Sequence, residues 1–336
     1  MPSSQNVRAE TSQEVAVTQD LVLSSSLQDE AKFERVAAPK ETRGLHILFE
    51  PTTASSDLAI DIVAVHGLAG DSYSTWTDEN NGKLWLRDLL PESLGFGNAR
   101  VMTFGYDHSE WLKQVDSWEE NKKSSDVLLD HIVRTRIDTN TPKGKPIMFV
   151  GHSLGGIIIK KALDLARQIG FRDIFDATKS IFFFGTPCIG REERVHECLL
   201  TVQRIFEATG VMQDEALEAM KECAYMIFDA SQYWPDLSGR LLVTSFYECE
   251  KYNGVLVVNE NRARGNFANE TTIGLDANHH TICHFASEND KGFAEVHREM
   301  YMHLIQISKA LDAKGHTPTE NKRATLDDLE ATTKPL

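Results

Sequence analysis

The sequence predicts an α/β fold, a mostly parallel sheet with helices on both faces and a small helical cap. Three observations carry this. Apolar runs alternate with amphipathic segments along most of the chain, the pattern of strands crossing to parallel neighbours through helices. Several runs, such as Leu58–Val65 and Ile181–Phe184, are almost continuously apolar, as strands covered on both faces require. Lys145–Val150 leads into Gly151-His-Ser-Leu-Gly-Gly156, and Ile158, Ala162, Leu165 and Ile169 then recur on one face of a helix. That last stretch reads as strand, sharp turn and helix, with Gly-x-Ser-x-Gly at the turn.

In chain order, residues 1–42 are polar, without a sustained period, and read as a disordered lead-in. One domain is expected over 43–311. Gly44–Pro51 is a strand closed by proline, and Leu58–Val65 is a second, ending in His66-Gly-Leu-Ala-Gly70. Trp85–Pro91 is a short helix, Arg100–Gly105 a strand, and Ser117–Arg136 a helix. After the elbow helix come a strand at Ser180–Gly185 and a helical region over 191–235, expected as the cap. Leu241–Phe246 and Val255–Val258 are expected as the last strands. A polar connection leads to Leu275–Phe285, Gly292–Leu311 is a terminal helix, and 312–336 is a polar tail expected to be disordered.

The turn at Ser153 has the form of a nucleophile elbow, in which a serine is lifted above the C-terminal end of a buried strand in a strained conformation. A serine hydroxyl attacks only when a base takes its proton and a carboxylate fixes the tautomer of that base. The α/β-hydrolase order is serine, acid, histidine. His279 follows the last strand, with His280 and His284 as competitors in its loop. Glu248 follows a late strand, with Glu250 and Asp276 as competitors. The glycine-rich turn after Val65 lacks the Gly-Lys-Ser/Thr of a phosphate loop, so the better reading is an oxyanion hole from the Leu68 and Leu154 amides. His66 and His152 flank these turns and read as packing or hydrogen-bonding residues. His279, His280, Cys283 and His284 are too compressed in spacing for a metal site, and no cofactor is expected.

With Lys+Arg 35 against Asp+Glu 50, the formal charge of −15 argues against nucleic acid as a partner. Five scattered cysteines fit a reducing compartment. No apolar run reaches the roughly 18–20 residues that span a bilayer, and the N-terminus shows neither a signal-peptide core nor an acid-poor presequence. An intracellular, soluble protein is the expectation, with an ester as its substrate.

An ordered set of motifs extends this reading. Asp61-Ile-Val-Ala-Val-His-Gly-Leu-Ala-Gly70, Trp85-Leu-Arg-Asp-Leu-Leu-Pro91, Gly151-His-Ser-Leu-Gly-Gly156, Phe184-Gly-Thr-Pro187, Ser245-Phe-Tyr-Glu248 and Ala277-Asn-His279 to Phe285 together resemble one family. It is that of the lipase-like α/β-hydrolases grouped with the serine-active-site-containing protein, whose fungal relatives also occur as N-terminal domains of NACHT receptors. The resemblance covers about residues 43–305. It implies Ser153 as nucleophile, His279 as base and Glu248 as acid, with hydrolysis or acyl transfer on lipid or other esters. It also implies peripheral membrane contact and mitochondrial or endoplasmic-reticulum association. Three positions depart from the family pattern: Cys188 stands for a usual His, Asn261-Arg262-Ala263 for a Ser-Ala pair, and Asn278 for a frequent Asp.

Overall fold

The structure, a computed structural model, describes residues 41–52, 57–107, 117–168, 170–188, 195–210, 213–265 and 269–315. The elements are β1 (Gly44–Phe49), β2 (Ile60–Val65), α1 (Trp85–Asp88), β3 (Ala99–Gly105), α2 (Ser117–Asp138), β4 (Ile147–His152), α3 (Leu154–Gln168) and α4 (Arg172–Ala177). There follow β5 (Thr178–Phe184), α5 (Val195–Thr209), α6 (Gln213–Ser238), β6 (Leu242–Glu248), α7 (Glu260–Ala263), β7 (Glu270–Leu275) and α8 (Lys291–Gly315). The seven strands form one sheet in the order β1-β3-β2-β4-β5-β6-β7. Among the described residues, only β1 runs antiparallel, against β3. This mostly parallel, two-faced arrangement is the α/β-hydrolase fold.

Strand periodicity builds two cores from the same residues. Ile147 and Phe149 of β4 and Ile181 and Phe183 of β5 pack with α2, α3, α5 and α6. Met148, Val150, Phe182 and Phe184, one position on, pack with Trp76, Trp85 and the Phe293–Val296–Met300 face of α8. Each of the buried phenylalanines 182–184 contributes about 1.5–3 kcal/mol by leaving water.

Two expectations are corrected. Val255–Val258 is not a strand: Val257 and Val258 are buried in a loop after the Tyr252–Val255 bridge. The last strand is instead Glu270–Leu275, in a stretch whose Thr, Glu and Gly content reads as a connection. As the half-exposed edge of the sheet it needs few large apolar residues. The helical region expected over 191–235 is present as α5 and α6, whose inner faces bury Val202, Ile205, Phe206, Ala224, Ile227 and Trp234 in the first core. The expected disordered segments 1–42 and 312–336 lie outside the described residues, apart from 41–42 and 312–315. Residues 312–315 continue α8. Among the described residues, no helix is long and apolar enough to cross a membrane.

A buried imidazole ties α8 to the sheet. His303 meets Ser180 Oγ of β5 at 2.7 Å and Thr244 Oγ1 of β6 at 3.2 Å. Burial holds its pKa down to about 4, against an ordinary 6.5. Above pH 6.5 the imidazole is neutral in both folded and unfolded chains, and its contribution is intact. Between pH 6.5 and 4 the unfolded chain binds a proton that the folded chain refuses. Stability should therefore fall by about 3 kcal/mol across that window. Urea denaturation at pH 7 and at pH 4 measures it. A His303→Gln variant should show a flatter dependence, and an unchanged one would remove His303 as the cause.

Candidate active site

The site lies at the C-terminal edge of the sheet, where β2 and β4 are neighbours although the chain leaves them in opposite directions. Such a switch point opens a crevice in α/β sheets. Ser153 follows β4 directly and holds φ at 49°, the left-handed region that L-residues with side chains seldom adopt. Two close approaches hold this geometry. A Cβ at Gly67 would lie 2.7 Å from Ser153 Cβ, and one at Gly151 would lie 2.8 Å from Gly156 Cα. Glycine at these positions lets the β2 loop and the first turn of α3 close on the serine.

Ser153 Oγ is 2.9 Å from His279 Nε2, and His279 Nδ1 is 3.1 Å from Glu248 Oε1. Ser153 is 1% exposed, Glu248 1% and His279 3%, so the three groups interact away from bulk water. Glu248 is the last residue of β6, rather than lying beyond its strand, and its Oε1 also accepts the Val258 backbone N–H. Its Oε2 is buried and has no hydrogen-bond partner among the described residues. His279 sits in the loop after β7, packed on Gly185, where φ is 53° and a Cβ would lie 3.0 Å from Nδ1. The competitors do not join this relay. Glu250 and Asp276 are exposed, and Glu250 is tied through its backbone to Ala277. His280 is exposed and pairs with Glu79 Oε1 at 2.9 Å.

Leu68 and Leu154 are both buried. As the first residue of α3, Leu154 has no intrahelical acceptor for its N–H, and the helix dipole adds positive potential there. The Leu68 N–H has no hydrogen-bond partner among the described residues. Ala69 beside it has φ 60°, a tight turn that holds the loop against the elbow.

His66 and His152 serve the backbone, as expected. Tyr106 N–H donates to His66 Nε2 at 3.2 Å, so His66 Nδ1 carries the proton and donates to Gly67 O at 2.9 Å. His152 Nε2 lies 2.9 Å from the backbone oxygen of His279 and donates to it, steadying the loop of the base. Burial, with His279 second, holds the His152 pKa well below the ordinary value and keeps this ring neutral.

The departures from the family pattern have structural roles. Asn278 Oδ1 accepts the His280 and Thr281 N–H groups and closes the turn that presents His279, a task an Asp oxygen performs equally well. The Arg262 carbonyl accepts the Cys188 N–H, and its side chain reaches Thr201. Cys188 is buried 3.3 Å from Lys160 Nζ, and burial pushes its thiol pKa up.

A cavity of about 480 Å³ opens over this arrangement, lined by the Leu68–Gly70 turn, Tyr73, His152, Tyr252, His279 and His280 among others. The end of α5 adds Thr209 to its wall. Sequence reasoning missed Val258 and the Glu79–His280 pair. Their partners are 10 and 201 residues away in the chain, and neither belongs to a local motif.

No protein-family model matches the chain. Among curated proteins it is similar to protein SERAC1 of Danio rerio, 26% identical over 162 residues, covering 43% of this chain and 24% of that protein. Protein SERAC1 of Homo sapiens is 20% identical over 275 residues, covering 71% and 38%. The matches thus span well under half the length of these relatives. Among solved structures, the chain is similar to the RedJ thioesterase of Streptomyces coelicolor, with TM-score 0.41, 11% identity, and 74% and 96% of the two chains covered. It is similar also to the metagenome-derived lipolytic enzymes LipS and LipT, with TM-score 0.44, 12% identity, and 79% and 98% covered.

Proposed function

We propose that the protein is a serine hydrolase that cleaves or transfers the acyl group of an ester through a Ser153–His279–Glu248 triad. The observation that carries this reading is the continuous relay of 2.9 Å and 3.1 Å contacts, beginning at a serine with positive φ. In the reaction, Ser153 Oγ attacks the ester carbonyl as His279 Nε2 takes its proton. Glu248 holds the Nδ1–H and stabilises the imidazolium as it forms. The Leu68 and Leu154 amides donate to the oxyanion of the tetrahedral intermediate. Collapse passes the proton from Nε2 to the leaving alcohol and leaves an acyl-enzyme on Ser153. Water then completes hydrolysis, or a second alcohol completes transfer, with His279 acting as base again. The reading requires an ester substrate and calls for no nucleic acid, metal or cofactor.

A non-catalytic module built on the same fold would be favoured by a closed cavity, or by Glu248 turned away from His279. An open cavity reaching His279, and Glu248 bonded to it, support the enzyme reading instead. Labelling with a fluorophosphonate probe is the test, because the probe reacts with a serine activated beside an oxyanion hole. Wild type should label and Ser153→Ala should not. A folded wild-type protein that remains unlabelled would overturn the proposal.

A further inference from the structure

The Leu68 and Leu154 amides belong to peptides whose carbonyls are tied down by other groups. The Gly67 carbonyl accepts His66 Nδ1–H at 2.9 Å and the Gly70 N–H at 3.4 Å. The Ser153 carbonyl accepts the Thr186 hydroxyl at 3.0 Å and the Gly156 N–H at 3.1 Å. Each carbonyl is thus anchored by one side chain and one turn N–H. Among the described residues every peptide is trans, and in a planar trans peptide the N–H points opposite to the C=O. Fixing the Gly67 carbonyl therefore aims the Leu68 N–H away from His66. Fixing the Ser153 carbonyl aims the Leu154 N–H away from Thr186.

The two side chains are themselves held in place, each 1% exposed. His66 stacks on Tyr106 with ring centroids 4.3 Å apart and 7° between planes. The Tyr106 N–H donates to its Nε2, which keeps the proton on Nδ1, toward Gly67. Thr186 Oγ1 also lies 3.3 Å from the Gly151 carbonyl oxygen, so its one hydrogen is shared across the elbow. The paired glycines of α3 let its first turn close on both anchors. A Cβ at Gly155 would lie 2.2 Å from the His66 carbonyl oxygen, and one at Gly156 would lie 2.3 Å from Thr186 Oγ1. Resting on the serine-hydrolase reading, we infer that His66 and Thr186 are positioning residues of the oxyanion hole. Each holds a carbonyl so that the N–H of the same peptide is already aimed when the tetrahedral intermediate forms. A peptide freed of its anchor can rotate, and the preorganisation that makes such donors effective is lost.

The test is the rate at which a fluorophosphonate labels the full chain, measured over a range of probe concentrations. This separates probe binding (KI) from the covalent step (kinact). In that step Ser153 Oγ bonds to phosphorus, fluoride leaves, the serine proton passes to His279, and the phosphoryl oxygen occupies the oxyanion hole. Thr186→Val removes the hydroxyl at nearly constant shape, and His66→Gln moves the side-chain nitrogen from the place of Nδ1 to that of Nε2. Each should lower kinact by about 10- to 50-fold with KI unchanged, below the roughly 10²- to 10³-fold cost of losing a whole donor. Thr186→Ser keeps the hydroxyl and His66→Asn places an amide N–H near Nδ1, so both should stay within about threefold of wild type. Urea midpoints establish that each variant is folded, and if one of the disabling variants does not fold, the pair at the other residue decides. Labelled wild type, with folded Thr186→Val and His66→Gln reacting at its rate, overturns this inference alone. So does a lowered kinact that Thr186→Ser and His66→Asn fail to restore. Folded wild type that does not label overturns the serine-hydrolase reading and this inference with it.

Discussion

Glu248→Gln is expected to lower kcat by about 10³- to 10⁴-fold with little change in KM. The residue is 1% exposed, bonded to His279 Nδ1 and to the Val258 N–H, so the amide fits the same space. What changes is the proton bookkeeping. A carboxylate accepts Nδ1–H and leaves Nε2 free to take the serine proton. An amide that turns its NH₂ toward the ring favours the other tautomer, with Nε2 already protonated. It also removes the negative charge that balances the imidazolium. Glu250→Gln and Asp276→Asn, both at exposed positions, should remain near wild type. Combining Glu248→Gln with Ser153→Ala should cost little more than Ser153→Ala alone, since groups acting as a unit are not additive. Steady-state kinetics on one ester decides the matter. Full activity in Glu248→Gln, or a collapse in Glu250→Gln, would reassign the acid.

The largest effect on stability is expected at the opposite edge of the sheet. Asp61, at the start of β2, is wholly buried and is held by three cations. Arg100 donates to both of its oxygens at 3.0 and 2.7 Å, Arg136 to Oδ2 at 2.7 Å, and Lys145 lies 2.8 Å from Oδ1. Arg136 also donates to the Pro142 and Lys145 carbonyls, so β2, β3, α2 and the approach to β4 share one brace. Burial pushes the Arg136 pKa down, a sign of how poorly this place tolerates uncompensated positive charge. Asp61→Ala would leave three cations close together without their anion. Removing one partner of a buried pair costs about 3–5 kcal/mol, a large part of the stability of an ordinary domain. The exposed Arg134–Asp130 pair, one helical turn apart on α2, should contribute under about 0.5 kcal/mol. Urea denaturation of Asp61→Ala beside Asp130→Ala measures the contrast. Midpoints shifted equally would show that the brace is not a special feature of this fold.

Much of the fold and of the site was legible because it is encoded in short stretches. Near-continuous apolar runs marked β2 through β6, since strands covered on both faces must be apolar throughout. Gly-x-Ser-x-Gly between a strand and a helix located Ser153, because only small residues allow that turn to close. Chain order singled out His279 and Glu248 and kept two nearby alternatives to each role open, His280 and His284 for the base and Glu250 and Asp276 for the acid. The edge strand Glu270–Leu275 was missed because a half-exposed strand can be polar, and Val255–Val258 misled because a buried loop can be as apolar as a strand.

The sequence by itself determined the α/β class, the elbow and the set of candidate groups, all consequences of local backbone sterics and hydrophobic periodicity. Tertiary structure alone decided which carboxylate faces the histidine, since Glu248 and Glu250 differ by two residues but only one is buried against the ring. It also decided that Asp61, set within an apolar run, joins Arg100, Arg136 and Lys145 in one brace. Those pairings depend on which strands become neighbours, and burial sets their strength by removing water from around the charges.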